Sequence, residues 1–146
     1  MFQKVNLYIF ARRPEISVGK SRLKKRIGKS LGSNFYHNNL SKLLRLLSSD
    51  KRINIKLCVT PNSATRFWPK YISHKIKRLP QGNGNIGEKM LKILNSDSKA
   101  KLLIGSDIPE ISPKIILDSW KKLNQCNVII GPAYDGGFWL IGFSKR

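Results

Sequence analysis

Two aspartates are the strongest candidates in this sequence for residues that bind a ligand or take part in catalysis. Asp107 follows the apolar run of KLLIGSDIP, and Asp135 follows the apolar run of VIIGPAYDGG. The chain holds only 8 acidic residues against 28 Lys and Arg, so two carboxylates in such similar positions stand out. Open α/β sheets present polar groups at the carboxyl ends of buried strands, where ligands bind. The pattern predicts a paired-carboxylate site for a divalent cation, since Mg²⁺ and Mn²⁺ suit carboxylate oxygens and substrate phosphates.

Each aspartate also has a structural interpretation, which the sequence leaves open. Asp107 could cap a turn ahead of Pro109, and Asp135 could form a tight Asp-Gly turn between two strands. If Asp135 belongs to a site, the adjacent Gly136 and Gly137 would let a sugar or another acceptor approach the backbone closely.

Basic side chains gather between the first strand and the helix expected after it: Arg12, Arg13, Lys20 and Arg22. With the N–H groups of a helix start, they predict a phosphate site on the same sheet edge as Asp107. A solvated basic loop is the alternative. Gly19-Lys20-Ser21 looks like the end of a P-loop, but Pro14 stands where that motif needs a glycine, which excludes an NTPase of that kind.

The net charge of +20 and the pI of about 10.4 have two explanations. One is a polyanionic partner, either nucleic acid or a nucleotide phosphate. The other is compositional bias, because the codons of the abundant Lys, Ile and Asn are AT-rich. The charge is spread along the chain without a dense basic block, which favours compositional bias for most of the lysines.

Hydrophobic periodicity predicts alternating strands and helices in one domain over residues 1–146. Strands are predicted at Val5–Phe10, Ile53–Thr60, Lys75–Leu79, Lys101–Ile104, Asn127–Ile130 and Gly137–Phe143. Helices are predicted from near Lys20, at Asn34–Ser49 after a break at Gly32-Ser33, at Ile86–Leu94, and from Ser112 to about Leu123. On the second helix the buried side is expected to hold Phe35, Leu40, Leu43, Leu44 and Leu47. The alternation predicts a mostly parallel sheet with helices on both faces.

Cys58 and Cys126 show no CxxC or Cys/His spacing, and both are predicted to be reduced core thiols of a cytoplasmic protein. The apolar runs are too short for a signal segment or a membrane span.

Four ordered segments resemble one bacterial family. They are FARRP with KSRL (Phe10–Pro14, Lys20–Leu23), QGNGNIGEKM (Gln81–Met90), GSDIP (Gly105–Pro109) and GPAYDGGFWLIG (Gly131–Gly142). The family is that of the uncharacterised DUF2064 proteins, which have a glycosyltransferase-A-type fold. The resemblance implies a Rossmann-like, three-layer α/β/α sandwich of the nucleotide-diphospho-sugar transferase type. Members continue beyond the last strand, so this chain is expected to be short at its C-terminus.

The same resemblance implies roles for individual residues. Asp107 would be the catalytic ligand of Mg²⁺ or Mn²⁺, and Asp135 would be a second catalytic carboxylate that could share the metal. The expected nucleotide and phosphate contacts are Arg12, Arg13, Lys20, Arg22, Gly105 and Ser106. The expected acceptor side is Gly131, Asp135, Gly136 and Gly137. Ser17 stands where the family has a loop glycine, which would stiffen or reposition the phosphate loop.

The leading hypothesis is a metal-dependent transferase. It would move a glycosyl or nucleotidyl group from an activated nucleotide or nucleotide-sugar donor to a small-molecule acceptor. One alternative is a non-catalytic basic protein that binds nucleic acid on the same scaffold; another is an inactive, truncated relative. A homodimer would be one way to cover a short C-terminus. Nucleic-acid binding would be sensitive to salt and indifferent to Asp107, whereas transfer would depend on Asp107.

Overall fold

The computed structural model describes residues 3–14, 29–66, 68, 75–108 and 110–144, with the backbone alone for 29–34. Within these ranges the strands are β1 (Val5–Arg12), β2 (Ile53–Thr60), β3 (Lys77–Pro80), β4 (Lys101–Gly105), β5 (Val128–Pro132) and β6 (Phe138–Phe143). The α-helices are α1 (Lys29–Ser48), α2 (Ile86–Leu94) and α3 (Pro113–Leu123), and a 3₁₀ turn spans Asn62–Thr65. Each predicted strand is present. None of the helices described is long and apolar enough to cross a membrane.

The six strands form one sheet in the order β3-β2-β1-β4-β6-β5. The first four run parallel, whereas β6 runs antiparallel to both of its neighbours. One row of paired residues crosses the centre, where Ile9 pairs with Leu57 and Ile104, and Ile104 pairs with Leu140. The predicted α/β architecture with a mostly parallel sheet is confirmed.

Helices cover the sheet on both faces because successive side chains of its central strands point to opposite sides. Ile9 of β1 lies in one apolar cluster with Leu40 of α1 and Ile116 of α3. Phe10, the next residue, lies in a second cluster with Ile93 of α2. The result is three layers, with α1 and α3 on one side and α2 on the other.

Helix α1 begins earlier than the sequence pattern predicted. It runs from Lys29 through Gly32 and Ser33, so the predicted break at these two residues was wrong. A glycine inside a helix costs about 1 kcal/mol, and the packing of a long apolar face outweighs that cost. Leu40 and Leu47 of this helix are fully buried. The helix predicted from near Lys20 falls mostly on residues outside the described ranges.

Tyr36, rather than Phe35, belongs to the buried face of α1. Phe35 is 47% exposed, whereas Tyr36 is 6% exposed. Tyr36 precedes Leu40 by four residues and Leu43 by seven, which matches the helical period. The helical spacing therefore favoured Tyr36 as the buried residue. Phe35 was predicted instead because phenylalanine is more apolar than tyrosine.

The two cysteines differ in exposure, so the prediction that both lie in the core was wrong for one of them. Cys58 is fully buried on β2, and burial raises the pKa of its thiol to about 12. Cys126 is exposed just before β5, and its thiol donates a hydrogen bond to the carbonyl of Lys122.

We expect a thiol reagent such as DTNB, used near pH 8, to modify one cysteine per folded chain and both after unfolding in guanidinium. The reason is that the reacting species is the thiolate, which burial suppresses at Cys58. Cys126→Ser should remove the reaction of the folded protein. A rapid reaction that persists in this variant would contradict the burial of Cys58.

Candidate functional site

The segments that carry the predicted site residues meet at one edge of the sheet. β1 and β4 are parallel, so the residues that follow them, including Arg13 and Asp107, lie at the same carboxyl edge. β6 is antiparallel to β4 and to β5, so the β5–β6 hairpin, with Asp135, turns at this edge too. The topology thus brings together the end of β1, the end of β4 and the hairpin.

Asp107 follows one of the most deeply buried strands of the sheet. Leu102 and Ile104 are fully buried, whereas Ser106 is half-buried and Asp107 is exposed. The β1–β4 ladder ends at the pair Phe10–Gly105. Extended by two residues, the same register would set Arg12 opposite Asp107. A carboxylate and a guanidinium therefore belong to neighbouring strand ends.

The basic residues predicted to bind phosphate are placed only in part. Arg12 is exposed at the end of β1, and Arg13 is half-buried just beyond it. The backbone N–H of Arg13 donates to the carbonyl of Thr60 on β2 at 2.9 Å, which fixes this end of β1 to the sheet. Lys20 and Arg22 lie outside the described residues.

Tyr36 of α1 joins this site, although sequence reasoning missed it. Its hydroxyl accepts a hydrogen bond from the N–H of Arg12 at 2.8 Å and donates one to the carbonyl of Arg12 at 3.0 Å. The Ser106 hydroxyl oxygen lies 3.5 Å from the same oxygen. Burial raises the pKa of Tyr36, so the hydroxyl keeps its proton at neutral pH. One buried side chain thus contacts the ends of both β1 and β4.

The loop after β3 is anchored at the same edge by Gln81. This side chain is 5% exposed, and its amide nitrogen donates to the carbonyls of Cys58 at 3.0 Å and Ala11 at 3.4 Å. The next residue, Gly82, has a φ of +87° and donates its N–H to the side-chain oxygen of Asn62. The QGNG segment is therefore held against the ends of β1 and β2.

Asp135 takes part in the tight turn of the β5–β6 hairpin. One carboxylate oxygen accepts the N–H of Gly137 at 3.0 Å, and Gly136 has a φ of +87°. A Cβ added at Gly136 would meet no atom within 4 Å, so the space beside it is open. At Gly131, by contrast, a Cβ would lie 2.5 Å from the Trp139 ring nitrogen, so this glycine makes room for Trp139.

Few carboxylates in the described part of the chain could hold a cation at this edge. Among the residues that the structure describes, no three His, Cys, Asp or Glu side chains form a potential metal site. Mg²⁺ is commonly bound by one or two carboxylates, with water and substrate phosphates in its other positions. The exposed carboxylate of Asp107 fits that arrangement, and Asp135 has one oxygen engaged in its turn. The donor set thus suits a cation that arrives with a nucleotide.

A cavity of about 90 Å³ lies beside Asp107, between α1 and the segment after β4. Its lining combines Asn39 and Lys42 of α1 with Ser106, Asp107 and the apolar side chains of Leu43, Leu46, Ile108 and Ile111. This volume is well below the roughly 300–1,000 Å³ of a typical small-molecule site, so a nucleotide would extend beyond the cavity over the open edge of the sheet.

Two comparisons with known proteins agree with this geometry. The family model of uncharacterized proteins conserved in bacteria (DUF2064) matches residues 43–146, which include the QGNG, GSDIP and GPAYDGG segments. The fold is similar to the crystal structure of a putative nucleotide-diphospho-sugar transferase from Desulfovibrio desulfuricans G20, with a TM-score of 0.83 and 24% identity. That likeness covers 98% of this chain and 64% of the other, so this chain spans just under two thirds of that protein. No curated protein matches the chain.

Proposed function

Since the chain belongs to the DUF2064 family of proteins conserved in bacteria, we propose that it is a metal-dependent transferase acting on an activated nucleotide donor. The observation that carries the proposal is the position of Asp107 and Arg12 at neighbouring strand ends. This is the edge at which open α/β sheets bind nucleotides. The fold of the Desulfovibrio structure supports the same choice of donor, a nucleotide-sugar.

In this proposal the chain holds the donor by its phosphates. The guanidinium groups of Arg12 and Arg13 pair with phosphate oxygens, joined by Lys20 and Arg22 from the same motif. Asp107 would hold Mg²⁺ or Mn²⁺, and Gly105 and Ser106 would contact the nucleotide phosphates. The bound cation would neutralise the negative charge that develops on the leaving phosphate.

The β5–β6 hairpin is assigned to the acceptor. The open space at Gly136 and the adjacent Gly137 would let a small hydroxyl-bearing acceptor approach the backbone. Gly131 and Asp135 would complete this side, with the engaged oxygen of Asp135 fixing the turn. Glycosyl transfer would join the acceptor oxygen to the anomeric carbon and break the bond from that carbon to the diphosphate, releasing a nucleoside diphosphate. Nucleotidyl transfer would join the acceptor oxygen to the α-phosphorus and break the bond from that phosphorus to the bridging oxygen, releasing pyrophosphate or a sugar phosphate. In both cases the proton of the acceptor hydroxyl passes to solvent. The same charges stabilise both leaving groups.

A second candidate function follows from the net charge of +20, which favours binding to nucleic acid. Such binding releases counterions from phosphate groups, and its affinity falls steeply with salt. It needs neither a divalent cation nor Asp107, which separates it from transfer. The homodimer and the cytoplasmic location stay predictions, and light scattering in solution would check the first.

A thermal-shift screen of nucleotides and nucleotide-sugars, with and without Mn²⁺, tests the proposed function. We expect one donor to raise the melting temperature by several degrees only when Mn²⁺ is present, because a ligand that binds the folded state alone stabilises it. A flat response across the panel, with salt-sensitive binding to any oligonucleotide, would favour the nucleic-acid function. A flat response to both kinds of ligand would instead support an inactive relative.

A further inference from the structure

The backbone N–H and C=O of Arg12 lie beyond the last paired residues of β1 and β4. Along a strand, successive residues direct their N–H and C=O groups alternately to the strand on one side and the strand on the other. Arg13 donates its N–H to Thr60 on β2, so the groups of Arg12 point towards the β4 side. The last β1–β4 pair is Phe10–Gly105, two residues before this point. Without another partner, both groups of Arg12 would lack the bonds that a strand neighbour provides.

The hydroxyl of Tyr36 takes the place of that missing neighbour. It accepts from the N–H of Arg12 at 2.8 Å and donates its one proton to the carbonyl of Arg12 at 3.0 Å. A phenol has one donor and can accept as well. Its contact with Ser106 at 3.5 Å must then use the proton of the serine hydroxyl. This leaves the lone pairs of the Ser106 oxygen for other partners.

We propose that Tyr36 is a positioning residue of the donor site, whose hydroxyl fixes the Arg12 end of β1 relative to Ser106 and Asp107 at the end of β4. The inference rests on the proposed function, because it assigns the phosphate contacts and the metal ligand to these two strand ends. Tyr36 itself is 6% exposed and touches neither donor nor cation in this arrangement. Residues that hydrogen-bond to metal ligands typically change metal affinity 10- to 100-fold when they are replaced. Tyr36 would act one residue away, through its contact with Ser106 beside Asp107.

The chain offers a matched control in Tyr8. This tyrosine is also buried, lies on β1 itself, and its hydroxyl receives a 3.4 Å hydrogen bond from Lys56. It lies in the apolar cluster on the face of the sheet opposite to that of Tyr36. Tyr8→Phe and Tyr36→Phe therefore delete the same atom from two buried rings, and only one of them is next to the strand ends.

Two readouts test the proposal. In Tyr36→Phe the amide of Arg12 loses its acceptor, and we expect its hydrogen exchange, measured by NMR, to quicken at least about 10-fold, with no change in Tyr8→Phe. We also expect the dissociation constant of the Mn²⁺-dependent donor to rise about 10-fold in Tyr36→Phe and less than about twofold in Tyr8→Phe. Equal losses in the two variants would show a general effect of stability and overturn the proposal.

The readouts also separate this proposal from the function on which it rests. Unchanged exchange at Arg12 in Tyr36→Phe would overturn the link between the strand ends. Faster exchange with unchanged donor affinity would overturn the role in positioning while leaving the transferase intact. A wild-type protein that binds no donor would overturn both the proposed function and this role, whatever the exchange shows.

Discussion

Replacing Asp107 with asparagine is expected to raise the dissociation constant of the Mn²⁺-dependent donor by about 100-fold, or about 2.7 kcal/mol. The physical reason is that Asp107 is the exposed carboxylate at the end of β4, and in the proposed function it would hold the cation, with no cluster of three potential ligands among the described residues to replace it. An amide carries no charge and binds Mg²⁺ or Mn²⁺ more weakly than a carboxylate does. Titration calorimetry with the donor identified by thermal shift, at fixed Mn²⁺, measures the change.

Asp118→Asn is the matched control for this experiment. Asp118 is a second aspartate with an accessible side chain, but it lies on α3, forms an ion pair with Lys114 and does not line the cavity beside Asp107. Its replacement removes the same charge and should leave donor affinity within about twofold of wild type. Equal weakening in the two variants would point to net charge rather than to a metal ligand. Unchanged affinity in Asp107→Asn would remove Asp107 from the site.

The second large effect is expected at the opposite edge of the sheet, at Lys101. Its side chain is 1% exposed, and its ammonium group donates hydrogen bonds to the Asp97 carboxylate at 2.5 Å and to the carbonyls of Asp97 and Lys99 at 3.2 Å. Lys101→Met keeps much of the side-chain volume but leaves both carbonyls and the carboxylate without this donor. We expect the free energy of unfolding to fall by about 2–3 kcal/mol, measured by urea denaturation.

Lys114→Met provides the control for Lys101→Met. Lys114 forms an ion pair with Asp118, and these two residues have the same sequence spacing as Asp97 and Lys101. The Lys114 side chain, however, is 84% exposed. An exposed pair of this kind contributes at most about 1 kcal/mol and often much less. Similar losses of stability in the two variants would contradict the structural role assigned to the buried Lys101.

The same contact predicts an acid dependence of stability. The hydrogen bond from Lys101, followed by one from the N–H of Lys99, lowers the pKa of Asp97 below its usual value. A lowered pKa in the folded state stabilises the protein above the pKa of the unfolded state, and this contribution is lost as pH falls through the folded value. The wild type should therefore lose more stability than Lys101→Met as pH falls below about 5, through the ordinary range of an aspartate and then through the lowered pKa of Asp97. Parallel pH profiles of the two proteins would argue against this coupling.

The order of strands and helices could be predicted from the sequence because it depends on local patterns. Apolar runs that end in glycine and an acid predicted β4 and β5, and alternating apolar residues predicted β2 over its full length. The predicted start of the last helix at Ser112 was also correct, since this residue caps α3 and its side chain accepts the N–H of Ile115. The prediction that Asp107 and Asp135 follow apolar strands needed nothing beyond this local information, and the topology places both at one edge.

The tertiary structure alone decided which distant residues support that edge. Tyr36 contacts Arg12, which is 24 positions away in the sequence, and Ser106, which is 70 positions away. Gln81 hydrogen-bonds to the carbonyl of Ala11, also 70 positions away. Lys101 was predicted as part of a strand, but its burial depends on how the loop after α2 folds over its ammonium group. Local periodicity reports which face of an element is apolar. A buried polar group is instead satisfied by whichever partner the packed chain brings within hydrogen-bond distance, and that partner has no fixed position in the sequence.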